Sequence, residues 1–283
     1  MEVNDVEKKK VHKGLLYYWL YYLALAMLIS VFLAQLLPYG ITRLLGIIGV
    51  LSPEDYFQFE FMKFDLNYLH VGLFVFLLYY YIFKKDKRIE NENYLHLSKI
   101  KISYVVLYIL IGFSTICCSE YISDLAKNFF IKSAQNYSEN FKEWKGNNIY
   151  VFVITTGIIG PIVQEVIYRH FVPKCLYGNY SMGRVIFIQA VIFGVAHMNI
   201  IQSIYAFMAG VLFMFLVLWT DNLYPAVICH IAANLYDAAV SPFLHKYGVD
   251  LKMFLAVSMI PLLIIAYKNK KYDALDKNNP YWN

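Results

Sequence analysis

The chain has 283 residues, of which 59% are hydrophobic, 18% aromatic and only 16% charged, against roughly 25% charged in an average soluble domain. That balance excludes an ordinary water-soluble globule and points to a bilayer. The formal net charge of +5 is no argument for nucleic acid, because the basic residues cluster beside apolar runs: Lys8, Lys9, Lys10 and Lys13, then Lys84, Lys85, Lys87 and Arg88, then Lys268, Lys270 and Lys271. Clusters of that kind mark the cytoplasmic ends of membrane helices.

In chain order, the apolar runs predict eight helices at about 14–37, 66–84, 101–121, 148–172, 184–198, 202–220, 223–240 and 252–268. A helix crosses a bilayer with about 20 apolar residues, and most of these runs suffice. The first run is too long for a signal peptide and reads as the first membrane helix. The mixed stretch 44–64 fits the interface better than a crossing. Residues 85–99 read as a charged cytoplasmic connection, 120–145 as an outside loop and 269–283 as a polar tail. The expected fold is all-α: one polytopic membrane bundle over 1–283, with both termini cytoplasmic. The fifth helix has only about fifteen residues, roughly 22 Å of rise, so an incomplete crossing with a tip buried in protein is expected.

Ionisable groups inside such helices are costly and turn toward the bundle interior. Gln164-Glu165-x-x-x-Arg169 places an acid and a base four apart on one face, where they can pair. Phe193-x-x-x-His197 puts an imidazole in a run without charge, and His230-x-x-x-Asn234 continues at helical spacing to Asp237. Counted from the expected cytoplasmic ends, Glu165, His197 and His230 lie at depths of roughly 12, 20 and 14 Å. Three helices thus bring polar groups to one layer, forming a cavity open toward the cytoplasmic side.

Two imidazoles, a carboxylate and a carboxamide suit hydrolysis by activated water, with an oxyanion held by imidazole and amide N–H groups. No Ser or Cys stands at a nucleophile elbow. Two His and a carboxylate could instead hold Zn²⁺, but the His-Glu-x-x-His spacing is missing and Asn is a poor ligand, so no metal or other cofactor is expected. Cys117, Cys118, Cys175 and Cys229 lack metal-type spacing and read as small membrane residues.

The three motifs in this order resemble the CAAX protease and bacteriocin-processing (Abi) family of intramembrane glutamate-type proteases. The resemblance spans about 148–240, the core that carries all three motifs. It implies an eight-helix bundle with an intramembrane cavity and a metal-independent endopeptidase acting on a peptide precursor or a protein end, prenylated ends included. It also implies that residue 164 and His197 activate water, that His230 and Asn234 form the oxyanion hole, and that Glu165, Arg169 and Phe193 support them. The family has two acids where this chain has Gln164-Glu165, and the replaced acid is the general base. A carboxamide cannot take a proton near neutral pH. Three readings follow: an enzyme form impaired or trapped by an isosteric change at Gln164, a membrane scaffold or immunity-type binding protein, or recruitment of Glu165 as base. The expected partners are a peptide or protein substrate and membrane lipids, with no nucleic acid; a transporter is disfavoured because no inverted repeat of broken helices appears.

Overall fold

A backbone in hydrocarbon must satisfy its own hydrogen bonds, and a long uncharged run does so as a helix. The computed structural model describes residues 44, 46–49, 96–135, 153–177, 180–197, 199–276 and 279–282. Among them every long element is helical and no strand forms. The expected helices at 14–37 and 66–84, and nearly all of the interfacial stretch 44–64, lie outside the described residues.

Helix α1 is Ile102–Lys127. Helix α2 is a composite run made of Val153–Ile159, Gly160–Val166, Ile167–Phe171 and Val172–Leu176. Helix α3 is Met182–Val195 and α4 is Ile200–Thr220. Helix α5 starts as Tyr224–Leu235 and continues through Tyr236–Val240 and Ser241–Lys246; α6 is Lys252–Lys268. Among the described residues three stretches are long and apolar enough to cross a membrane: Ile102–Lys127, Ile200–Thr220 and Tyr224–Lys246.

Helix α2 ends four residues past the expected 172, at Leu176, and two ends run six residues further than the hydropathy suggests. Helix α1 continues six residues past the expected 121, because Lys252 at the start of α6 meets Glu120 at 3.1 Å and Asp124 at 3.3 Å, while Lys127 meets Asp124 at 2.9 Å. These pairs give the charged end of α1 partners, so residues expected in a loop are helical. Helix α5 continues to Lys246 through a widened turn.

That widening has a cause. Tyr236–Val240, Val153–Ile159 and Ile167–Phe171 are all π-type turns, and each is followed two residues on by a proline: Pro242, Pro161 and Pro173. Proline has no N–H for the carbonyl four residues back, and its ring crowds that carbonyl. The preceding turn therefore pairs five residues apart, as where the Val172 N–H donates to the Ile167 carbonyl and the Ser241 N–H to that of Tyr236.

Packing relies on small residues, as it must where apolar side chains gain nothing over lipid. Helix α1 packs on α5, α6 on α1 and α3 on α4. At the α1–α5 crossing a Cβ on Gly112 would collide with the Cys229 carbonyl oxygen, and the Cys229 thiol donates to the Tyr108 carbonyl at 3.1 Å. Where α3 meets α4, a Cβ on Gly210 would touch Ala190 at 3.1 Å. Helix α3 has fourteen residues; its last turn buries Phe193 and Gly194 but exposes Val195, so its tip is half buried rather than enclosed.

Gly112→Ala should lower the thermal unfolding midpoint in detergent, at a cost of about 1–3 kcal/mol for an overpacked contact. Gly183→Ala, where an added Cβ meets nothing within 4 Å, should leave the midpoint unchanged or raise it.

Candidate active site

The regular α-helical segment Gly160–Val166 of α2 starts with Pro161 in its first turn, and it carries Gln164 and Glu165. Glu165 is fully buried. Its Oε2 lies 2.9 Å from Arg169 Nε, with the N–H directed off the line between them, so this is a charge contact rather than a hydrogen bond. The hydrogen bond proper runs from Arg169 Nη2 to Glu165 Oε1 at 3.4 Å. The pairing expected from the four-residue spacing is therefore present. The same Oε1 is 2.7 Å from His230 Nδ1 on α5, which ties the first motif to the third.

Arg169 is also fully buried, and it is held by more than its acid. Its Nη1 donates to Gln189 Oε1 on α3 at 2.7 Å, and its guanidinium sits 4.4 Å from the Phe193 ring centroid. Gln189 is in turn fixed by its amide, which donates to the Ile186 carbonyl at 2.9 Å and to the Gly210 carbonyl of α4 at 3.0 Å. Gln189 was not among the residues expected at the site. Its signal in the sequence is a lone carboxamide in the apolar run Val185–Ala196, and only Arg169, on the preceding helix, gives it meaning.

The two imidazoles flank one phenyl ring: Phe193 meets His197 edge-on at 4.9 Å and His230 edge-on at 5.8 Å. His197 Nδ1 donates to the Phe193 carbonyl at 2.8 Å. In the neutral ring that leaves Nε2 as an acceptor, the form able to receive a proton from water. His230 presents Nδ1 to a carboxylate, so its Nε2 donates only when the ring carries both protons. Asn234 Nδ2 donates to the Thr156 carbonyl in the wide turn of α2 at 2.8 Å, which uses one of the two amide hydrogens. Asp237 stands half-buried in the wide turn of α5, past the regular helix. Gln164 is half-buried too, and its carboxamide forms no hydrogen bond among the described residues. Among the described residues, no three of His, Cys, Asp and Glu gather as metal ligands.

Residues 146–236 match the family model described as Rce1-like, Type II CAAX prenyl endopeptidase Rce1-like. That segment is an Rce1-like domain. It spans about a third of the chain and covers α2, α3, α4 and the part of α5 with His230 and Asn234. The match suggests a membrane protease, a hydrolase working on peptide or protein substrates, and among the described residues three helices are long and apolar enough to span. No curated protein and no solved structure matches the chain.

Gln189→Leu should leave Arg169 Nη1 without its acceptor inside the bundle, at a cost of about 1–3 kcal/mol. The expected readout is a lower unfolding midpoint in detergent, whereas an unchanged midpoint would mean that the bond stabilises nothing.

Proposed function

We propose that the Rce1-like segment is the core, about 148–240, of a single integral membrane domain covering 1–283, and that it works as an intramembrane endopeptidase on a peptide precursor or a protein end. The reading places about eight helices around a cavity open to the cytoplasm, in a cell membrane with both termini inside, and admits lipid-modified substrates. In it, His197 Nε2 and residue 164 hold the attacking water. His230 and Asn234 face the carbonyl oxygen of the scissile bond; an oxyanion there calls for the doubly protonated His230 ring, and Glu165 is the counter-ion beside it. Arg169, Gln189 and Phe193 keep Glu165 and both imidazoles in place.

One observation carries this assignment of roles. Glu165 is wholly buried and engaged through both oxygens, by Arg169 and by His230. Gln164, one residue earlier, is half-buried with no hydrogen bond among the described residues. Residue 164 is thus the position suited to a water-activating carboxylate, and the chain has a carboxamide there. With Gln164 in place the hydrolytic rate is strongly impaired, because a carboxamide orients water without taking its proton.

The same engagement of Glu165 favours a second reading, in which the polar layer binds a partner peptide without turnover, as a scaffold or immunity-type protein. Neither residue 164 nor residue 165 then offers a free carboxylate.

Gln164→Glu should raise the cleavage rate on a peptide library in detergent by about 10²–10⁴-fold, the usual contribution of a general base. If the folded Gln164→Glu protein cuts nothing, the hydrolase reading is lost and the binding reading takes its place. His197→Ala separates the two from the other side: it should abolish the gained cleavage, whereas a binding protein would keep its biological function.

A further inference from the structure

The segment after α6, expected to be a polar tail, folds back onto one end of the bundle. The Lys271 and Tyr272 N–H groups donate to the Trp219 carbonyl at 2.8 and 3.2 Å. The Asn279 side chain donates to the Leu218 carbonyl at 2.9 Å and to the Asp273 carbonyl at 2.9 Å. Leu218 and Trp219 belong to the last turn of α4, whose carbonyls lack partners inside the helix, so this segment closes that helix end. Asn279 also accepts the Tyr281 N–H at 3.0 Å, which directs the next side chain inward.

Tyr281 is fully buried. Its ring lies 4.8 Å from that of His96, which meets Asp221 at 2.6 Å just beyond α4. Burial holds the Tyr281 phenol well above its ordinary range, so it keeps its proton and remains a donor. The hydroxyl donates to the Arg169 carbonyl. In an α-helix that carbonyl would accept from the N–H of residue 173, and residue 173 is proline.

We propose that Tyr281 is a positioning residue of the candidate active site, supplying to the Arg169 carbonyl the hydrogen-bond donor that Pro173 withholds. Arg169 stands in the widened turn Ile167–Phe171, and its side chain must reach Glu165, Gln189 and Phe193 together. A pinned carbonyl restrains the turn, and through it the Glu165–His230 contact. The inference adds a residue outside 146–236 to the site, and its catalytic half rests on the hydrolase reading above.

The experiment is a two-residue cycle in the full chain. Tyr281→Phe removes only the hydroxyl, and Pro173→Ala returns the missing N–H. Hydrogen exchange of the amides at 167–176 needs no activity. Tyr281→Phe should speed it by about tenfold, the scale of one unsatisfied buried acceptor, and should have no effect once Pro173→Ala is present. Exchange that ignores Tyr281→Phe, or that responds to it equally with and without Pro173→Ala, overturns the proposal. In the Gln164→Glu background, Tyr281→Phe should lower kcat about tenfold at unchanged KM, with rescue by Pro173→Ala. A shift in exchange with kcat unmoved overturns the positioning role. If Gln164→Glu itself shows no cleavage, the hydrolase reading falls, and the exchange cycle still decides whether Tyr281 holds the Arg169 turn.

Discussion

Arg169 is the group on which the rest of the site depends. A guanidinium without solvent is tolerable only if its charge is met, and here it is met from several directions: Glu165 on its own helix, Gln189 on α3, and the face of Phe193. Each partner is then held by something else. Gln189 is tied to the backbone of α4 through Gly210, and Glu165 to α5 through His230. One buried cation thereby links four helices, α2 and α3 by its own bonds and α4 and α5 through the partners it holds. Removing a single partner of such a group costs far more than the pair contributes when complete, so the arrangement acts as a unit.

Prolines shape the helices around that cation. Pro161, Pro173 and Pro242 each withdraw one N–H, and the turn ahead of each widens. Two of these wide turns meet the site directly: Thr156 offers its carbonyl to Asn234, and Arg169 stands in the turn before Pro173. Irregular backbone at membrane depth is tolerated where neighbouring protein takes up the freed groups, and here Asn234 and Tyr281 do so. Gly157, in the first of these turns, lets α2 come close to α5, since its Cβ position lies 2.9 Å from Leu235, and the Glu165 segment between the wide turns is regular α-helix.

Around this frame, the difference between Gln164 and Glu165 follows from rotation about one helix. Adjacent residues point about 100° apart, so the side chain that faces Arg169 and His230 cannot also face the half-open side. The proposed division of labour, with Glu165 as counter-ion and residue 164 as the water-activating position, uses that geometry. Under that proposal the carboxamide at 164 is the side chain of the site with most chemical consequence.

The order of the described helices and the pairing of Glu165 with Arg169 were readable from hydropathy and from a spacing of four, because those signals are local. The lengthened end of α1 was not: Glu120 and Asp124 look like loop residues until Lys252, more than a hundred residues on, is brought beside them. Gln189 and Tyr281 escaped for the same reason. A carboxamide in an apolar run and a tyrosine in a polar tail have no periodicity to betray them. What the sequence determined by itself was the set of helices and the chemistry available on each, since both depend on a few neighbouring residues. Only the tertiary structure decided which oxygen of Glu165 meets which nitrogen, and what replaces the N–H missing at Pro173, because those contacts are made by side chains far apart along the chain.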